Sequence, residues 1–350
     1  MTKHIHGGDV YKYKDCLDFS ANLNPLGTPE RVKQAIIRSL DHIAQYPQVG
    51  CSLLREKIAE YEGVKEEEIV CGNGAAEVIF TLCRAVNPKR ALIPAPTFAE
   101  YGQALASMGC ELEYYMLTEN DGFVLGDSYL DILHKGLDIA FLCNPNNPTG
   151  MLIPHRLLKK ILEKCRKLEI LLVVDECFLD FVKEPQEYSL KRSLSGFNNL
   201  FILKAFTKRY AMAGVRLVYG LCSNRKLLEK MELCVQPWNV STMAQAAGIQ
   251  ALEETEYVEK GRQLVFQEAQ WLKEEMTRIG YQVFPSEANY IFFKGPEELF
   301  DFCLRKRILI RDCSNYPGLK KGYYRVAVKR HEENIRLIEV LEGGILWQKQ

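Results

Sequence analysis

Charge of either sign in excess is missing from this sequence: Lys plus Arg and Asp plus Glu each number 45, so the formal charge at neutral pH is zero. Nothing in that balance draws the chain to nucleic acid or to an anionic membrane surface, and any anion it binds must be held by a local group of side chains. No apolar run approaches membrane-spanning length, and the opening stretch, MTKHIHGGDVYKYKD, lacks the apolar centre of a signal peptide. The chain is therefore expected away from membranes, in the cytoplasm. Among the 12 cysteines there is no CxxC pair and no Cys/His cluster at zinc spacing, which points to a reduced compartment, thiols used as small core residues, and no metal. Internal repeats and low-complexity segments are absent as well.

What is present is a length of 350 residues with 47% hydrophobic content, enough for a substantial core divided between more than one domain. Residues 1–24 have no clear periodicity and read as an arm. Thr28 as N-cap and Pro29 at the first helical position introduce a helix over 28–40. From Tyr46 onward, amphipathic helical segments alternate with apolar runs at 68–71, 91–93, 112–115, 139–143, 171–174, 200–203 and 217–221. That rhythm predicts crossover units, and so an α/β fold whose mostly parallel seven-stranded sheet is covered on both faces. Past Lys226 a long helical stretch runs to Met276 with a break near Pro237, followed by shorter strands at 290–293, 308–310 and 324–328, the pattern of a smaller α+β domain. The divisions expected are an arm contributing to the small domain (1–45), a large domain (46–235) and the small domain (236–350).

Ligands of such sheets gather at the carboxyl ends of the strands, and there the sequence is unusual. Gly72-Asn73-Gly74-Ala75-Ala76-Glu77 opens a helix after a short strand and leaves backbone N–H groups for a phosphate, although many plain turns carry glycine too. In Cys143-Asn144-Pro145-Asn146-Asn147-Pro148-Thr149-Gly150, two prolines and a glycine fix a rigid loop that aims Asn147 as a hydrogen-bond donor. Asp175 and Glu176 end a buried run, where a carboxylate needs a cationic partner, either a structural Arg or Lys or a pyridinium nitrogen. At about 4 Å and an effective dielectric of about 20, such a pair is worth roughly 4 kcal/mol before desolvation. The stretch LKAFTKRYAMAGVRLVYG, 203–220, places Lys208 just past a strand end, while Ala211, Ala213 and Gly214 let the loop turn back and bring in Arg216. An isolated Lys and Arg so spaced would be ordinary surface cations.

Together and in this order, over nearly the whole chain, these residues resemble the fold-type-I pyridoxal-phosphate enzymes of the class I/II aminotransferase group. The resemblance implies pyridoxal 5'-phosphate as cofactor and Lys208 as the catalytic lysine that binds it covalently. It further implies Asp175 at the ring nitrogen, Asn147 at the ring hydroxyl with Phe178 beside it, and Phe98 stacked on the ring. Gly74, Ala75, Ala76, Thr207 and Arg216 would hold the cofactor phosphate. Tyr46, in QYPQVG, is similar to the tyrosine that reaches the cofactor phosphate of a neighbouring subunit, implying a homodimer with shared active sites.

The two ends of the chain narrow the resemblance. HGGD at 6–9, DFSANLNPLG at 18–27, IRDCSN at 310–315 and GYYRVAV at 322–328 are similar to the branch of the family that decarboxylates O-phospho-L-threonine in cobalamin biosynthesis. This implies Arg325 on the substrate carboxylate, His6 and Arg311 on the substrate phosphate, and Asn22 among the substrate contacts. Arginine suits both anions because its planar fork pairs bidentately. Transamination of histidinol phosphate or another amino acid, decarboxylation of phosphoserine, and a homologue without turnover are the other readings the motifs admit. Two positions depart from the family pattern: Ala205 stands where Ser or Thr is usual, and Val218 where Gly is frequent. The loss of one neutral hydrogen bond, about 1 kcal/mol, predicts weaker cofactor retention with activity kept.

Overall fold

The computed structural model describes residues 6–348. The strands, in chain order, are β1 (Leu17–Asp18), β2 (Ile69–Gly72), β3 (Arg90–Ala95), β4 (Glu111–Met116), β5 (Ile139–Cys143), β6 (Leu171–Asp175), β7 (Leu200–Ala205), β8 (Val218–Leu221), β9 (Gln282–Val283), β10 (Tyr290–Lys294), β11 (Ile308–Leu309), β12 (Arg311–Asp312) and β13 (Tyr323–Ala327). Each of the seven apolar runs expected to be a strand joins one sheet, ordered β2-β8-β7-β6-β5-β3-β4. Only β8 runs against its neighbours, pairing antiparallel with both β2 and β7.

Period-two alternation explains why the central strands read as unbroken hydrophobic runs. Phe141, Val173, Phe201 and Leu203 pack into one apolar cluster on one face, and Leu142, Leu172, Val174 and Ile202 into another on the opposite face. A second sheet, β12-β13-β10-β9, is antiparallel throughout and surrounds its own core of Ile291, Phe293, Val326, Leu272 and Leu337. Among the described residues no helix is long and apolar enough to cross a membrane.

The structure differs from the sequence expectation in three places. Residues 17–18 lie within the stretch read as an arm, yet they pair in parallel with β11 because the backbone of Leu17 and Phe19 finds ladder partners at Arg307 and Leu309. The run expected at 308–310 ends as β11, which faces β1, and an unexpected strand, β12, follows directly after it and faces β13. Thr28 does not cap the first helix, Glu30–Ser39; its hydroxyl donates instead to the Ala211 carbonyl at 2.7 Å, tying the N-terminal segment to the loop after Lys208. Asn24 does the same through two bonds, its N–H to the Lys208 carbonyl and its Nδ2 to the Arg209 carbonyl.

Beneath that loop lies a buried charge cluster. Lys204 is on the face of β7 shared by Leu200 and Ile202, with its Nζ 3.6 Å from Glu62 and 3.7 Å from Glu176. Glu62 also receives Lys191 and the Tyr219 hydroxyl, and Arg209 is paired with Asp180. Burial alone would raise the Glu62 pKa, but the charges of Lys204, Arg209 and Lys191 outweigh it and hold the carboxyl down at about 2. Its stabilising contribution is therefore complete above the unfolded value of 4.5 and fades as the pH falls toward 2. Replacing Glu62 by Gln leaves Lys204 short of a buried counter-charge, and the expected loss is about 3 kcal/mol. Denaturant unfolding at pH 7 measures it; an unchanged midpoint would mean that the cluster does not hold the fold.

Candidate active site

Because β2, β3, β5, β6 and β7 all end at the same edge of the large sheet, the residues that follow them converge there. Gly74 comes two residues after β2, Phe98 three after β3, Asn147 four after β5 and Lys208 three after β7, while Asp175 is the last residue of β6. The antiparallel β8 begins at that edge, which is why Arg216, two residues before it, joins the group.

Gly74 is packed directly against Arg216. Gly74 has φ +85°, and a Cβ there would stand 2.0 Å from Arg216 Nη2, so no other residue leaves room for the guanidinium. Arg216 itself has φ 60°, an uncommon backbone for a side-chain-bearing residue and one often found where position matters. The helix Ala75–Val86 starts at this point, with the Ala75 and Ala76 N–H groups in its first turn. Glu77 braces the turn by accepting from the Asn73 N–H at 2.6 Å and from Asn239 Nδ2 at 2.7 Å. Thr207, buried beside Lys208, makes only a 3.5 Å contact to the Leu217 carbonyl, which leaves its hydroxyl poorly satisfied within the protein.

Lys208 lies on the single helical turn Phe206–Arg209 with its Nζ 5.6 Å above the Phe178 ring. Burial, and then the charge of Arg325, push its pKa down to about 8, so a useful fraction of the amine is neutral near physiological pH. Asp175 is 4% exposed, accepts the Tyr101 hydroxyl at 2.6 Å and the Cys177 N–H at 2.9 Å, and has its pKa raised by burial against those bonds. Phe98 meets Tyr101 edge to face at 5.4 Å and Phe178 meets Tyr290 in the same way at 5.1 Å.

From the second sheet come the arginines. Arg325 and Arg311 are directly opposed across β12 and β13, so their side chains share a face, and they are 6% and 5% exposed. Arg325 donates to Asn147 Oδ1 and, at 2.8 Å, to the Ser20 carbonyl; Arg311 donates to the Asp312 carbonyl at 2.7 Å and to Asn315 Oδ1 at 2.9 Å. All four acceptors are neutral, so neither guanidinium is hydrogen-bonded to a carboxylate, although the Glu100 carboxyl faces Arg311. Among the described residues the Arg325 Nε and the Asn22 Oδ1 are buried without a hydrogen-bond partner.

Lys208, Asp175, Asn147, Phe98, Phe178, Gly74, Arg216, Arg311 and Arg325 thus gather, with two qualifications. Asn147 presents its carbonyl oxygen to Arg325, so only its amide nitrogen is left for the donor role. Tyr46 is 79% exposed and its ring stacks on Trp238 at 4.4 Å, outside the cluster. Sequence reasoning missed Tyr101, Glu100 and Ser20. The first two stand in PAPTFAEY within one helical turn of Phe98, and that spacing was the available signal.

Fold and site define an enzyme class, and the chain belongs to it: the family model "Aminotransferase class I and II" matches residues 14–341. The family is pyridoxal-phosphate dependent. The chain is 41% identical to a threonine-phosphate decarboxylase of Salmonella typhimurium, across 98% of this chain and 97% of that one. Among solved structures, a histidinol-phosphate aminotransferase from Clostridium acetobutylicum superposes with a TM-score of 0.87 at 30% identity, covering 93% of this chain and 98% of the other. An L-threonine-O-3-phosphate decarboxylase from Porphyromonas gingivalis superposes with a TM-score of 0.82 at 25% identity, with the same coverage.

The residues fit the cofactor. The Gly74 hollow against Arg216 suits a phosphate, and the desolvated Asp175 suits a ring nitrogen that carries positive charge. The two departures from the family pattern prove to be neighbours: Ala205 and Val218 are directly opposed in the β7–β8 ladder and belong to the same apolar cluster. The valine occupies space beside the position that lacks a hydroxyl. Two outcomes follow. Uptake of added pyridoxal phosphate by the apoprotein should quicken as the pH rises through about 8, because the neutral amine is the nucleophile; a rate independent of pH from 7 to 9 would contradict the lowered pKa. Ala205→Ser should slow cofactor release about fivefold, equivalent to about 1 kcal/mol for one neutral hydrogen bond, as followed by dialysis and absorbance.

Proposed function

We propose that this chain decarboxylates O-phospho-L-threonine to 1-amino-2-propanol O-phosphate, a lyase reaction of cobalamin biosynthesis carried out in the cytoplasm by a homodimer. The observation that carries the reading is the opposed pair Arg311 and Arg325, both buried and both held by neutral acceptors. Placing like charges directly opposite one another is unfavourable unless anions are to come between or beside them. A substrate with a carboxylate and a phosphate brings two such anions. The Salmonella relative supports the same substrate. Twelve cysteines without a disulfide suit a reducing compartment, and the exposed Tyr46 suits a residue offered to a second subunit.

In this reading Lys208 binds the cofactor, Asp175 faces its ring nitrogen, Asn147 its hydroxyl, Phe98 its ring face, and Gly74, Ala75, Ala76, Thr207 and Arg216 its phosphate. Pyridoxal phosphate, when bound, supplies an electron sink for the pair released as a bond to Cα breaks. Orientation decides which bond that is. Arg325 takes the substrate carboxylate, while Arg311, with His6 and Asn22, takes the phosphate. A substrate fixed at both ends keeps one torsion about Cα, and the carbon–carbon bond can be held where cleavage is favoured. Carbon dioxide leaves, and Lys208, with its pKa near neutrality, is the group suited to return a proton to Cα.

A transaminase acting on histidinol phosphate is the second reading, favoured by the TM-score of 0.87 to the Clostridium enzyme. Incubating the holoenzyme with O-phosphothreonine and no oxo-acid acceptor separates the two. Stoichiometric carbon dioxide is expected; acceptor-dependent turnover of histidinol phosphate alone would replace the lyase by the transaminase. Arg311→Ala should weaken O-phosphothreonine binding about tenfold or more, in line with losing a buried charge-assisted contact, with cofactor binding intact. Equal wild-type affinity for threonine and phosphothreonine would remove the phosphate assignment.

A further inference from the structure

His6, Gly7 and Gly8 are fastened at two points. At one end the Gly8 N–H donates to Ser20 Oγ at 2.7 Å, and Gly7 lies so close to Ser20 that a Cβ on it would stand 2.4 Å from the Ser20 carbonyl oxygen. That same carbonyl oxygen accepts from Arg325. At the other end His6 Nδ1 lies 3.1 Å from Glu100 Oε1, in the first turn of the helix Ala99–Ser107 that follows Phe98. His6 and Ser20 also line, with Arg311 and Asn315, a cavity of about 130 Å³. The segment is thus a strap laid from the Arg325 side of the site to the edge of the Phe98 helix, passing the Arg311 side on the way.

Glu100 is costly where it stands. It is 7% exposed, its Oε2 is buried without a hydrogen-bond partner among the described residues, and burial raises its pKa against the charges of His6, Arg311 and Lys208, which face it. An apolar residue would pack at that position without the desolvation penalty of a half-satisfied carboxyl group. The carboxyl group is explained by what it holds.

We infer that Glu100 is a positioning residue for substrate recognition: acting through His6, it latches the Gly7-Gly8 strap across the phosphate end of the substrate and so selects for phosphorylated amino acids. Glu100 itself touches no substrate. The inference rests on the reading that the substrate is a phosphate monoester.

The test compares holoenzyme variants Glu100→Leu, Glu100→Gln, His6→Ala and Glu100→Leu/His6→Ala, with kcat and KM measured alongside calorimetric titration with O-phosphothreonine and with unphosphorylated threonine. Glu100→Leu is expected to weaken O-phosphothreonine binding about tenfold while leaving threonine binding and kcat within about twofold, and the double variant to be no weaker than His6→Ala, as for two residues acting as one unit. Glu100→Gln, which keeps the shape and an acceptor, restores most of the affinity. Gly7→Ala displaces the strap without touching the helix and should reproduce the selective loss, which covers the case in which Glu100→Leu does not fold. Equal losses for both amino acids, losses that multiply in the double variant, or a silent Gly7→Ala would overturn the inference. Should the wild type fail to distinguish O-phosphothreonine from threonine, the function proposed above falls, and the same variants titrated with histidinol phosphate decide the role of Glu100 by the same pattern.

Discussion

Arg311 and Arg325 face each other across two short antiparallel strands, almost out of reach of water, and their hydrogen bonds go to carbonyl and amide oxygens rather than to carboxylates. With Arg216 and Lys208 they make the carboxyl edge of the large sheet a collection of cations, for which Asp175 and Glu100 are the acidic counterparts close by. An arrangement of that kind is held in place only by a stiff surround. The lowered pKa of Lys208 has the same origin, since burial and the Arg325 charge both disfavour its protonated form. The chemistry of the lysine and the capture of anions are two consequences of one electrostatic choice.

The stiffness comes from beneath. Glu62, Glu176 and Asp180 balance Lys204, Lys191 and Arg209 in a cluster on the opposite face of β7 from Leu203 and Ala205. Here opposite charges are in direct contact, whereas above it Arg311 and Arg325 are hydrogen-bonded to neutral oxygens. The two populations are separated by little more than the thickness of one strand, and Lys204 and Lys208, four residues apart, fall on different sides of that division. Lys204 has its pKa raised by Glu62, Asp180 and Glu176 in spite of burial, and Lys208 has its pKa lowered. Residue type says nothing about which lysine is reactive; the charges facing each one do.

This is also why the sequence was legible in some places and opaque in others. The large sheet could be read because its strands are short apolar runs bounded by turn residues, and local composition suffices for that. Asp175, Asn147, Gly74, Lys208 and Arg216 were legible because each sits at a strand end, where chain order alone brings residues to one edge. The opposition of Arg311 and Arg325 was not, since it depends on the antiparallel register of β12, a two-residue strand that lies just past the apolar run 308–310 and has no apolar pattern of its own. Nor were the roles of residues 17–28, whose bonds to Arg307, Leu309, Lys208, Arg209 and Ala211 span separations upward of 183 residues. Periodicity carries no trace of contacts at such range.

Ala205 and Val218 show how register changes the meaning of a departure. Taken separately, one is a lost hydroxyl and the other an added side chain in a position where glycine is common. Paired across β7 and β8 they lie side by side in one apolar cluster, where the first position lacks at most an oxygen and a methyl group and the second carries three carbons that glycine would not. Both are buried, so the apolar cluster around Phe201 and Leu203 remains closed and the strand end that presents Lys208 keeps its place. What the pair changes at the strand end is chemistry: the position three residues before Lys208 carries no hydroxyl, while Arg216 and the first turn of the helix Ala75–Val86 stand at the same edge of the sheet.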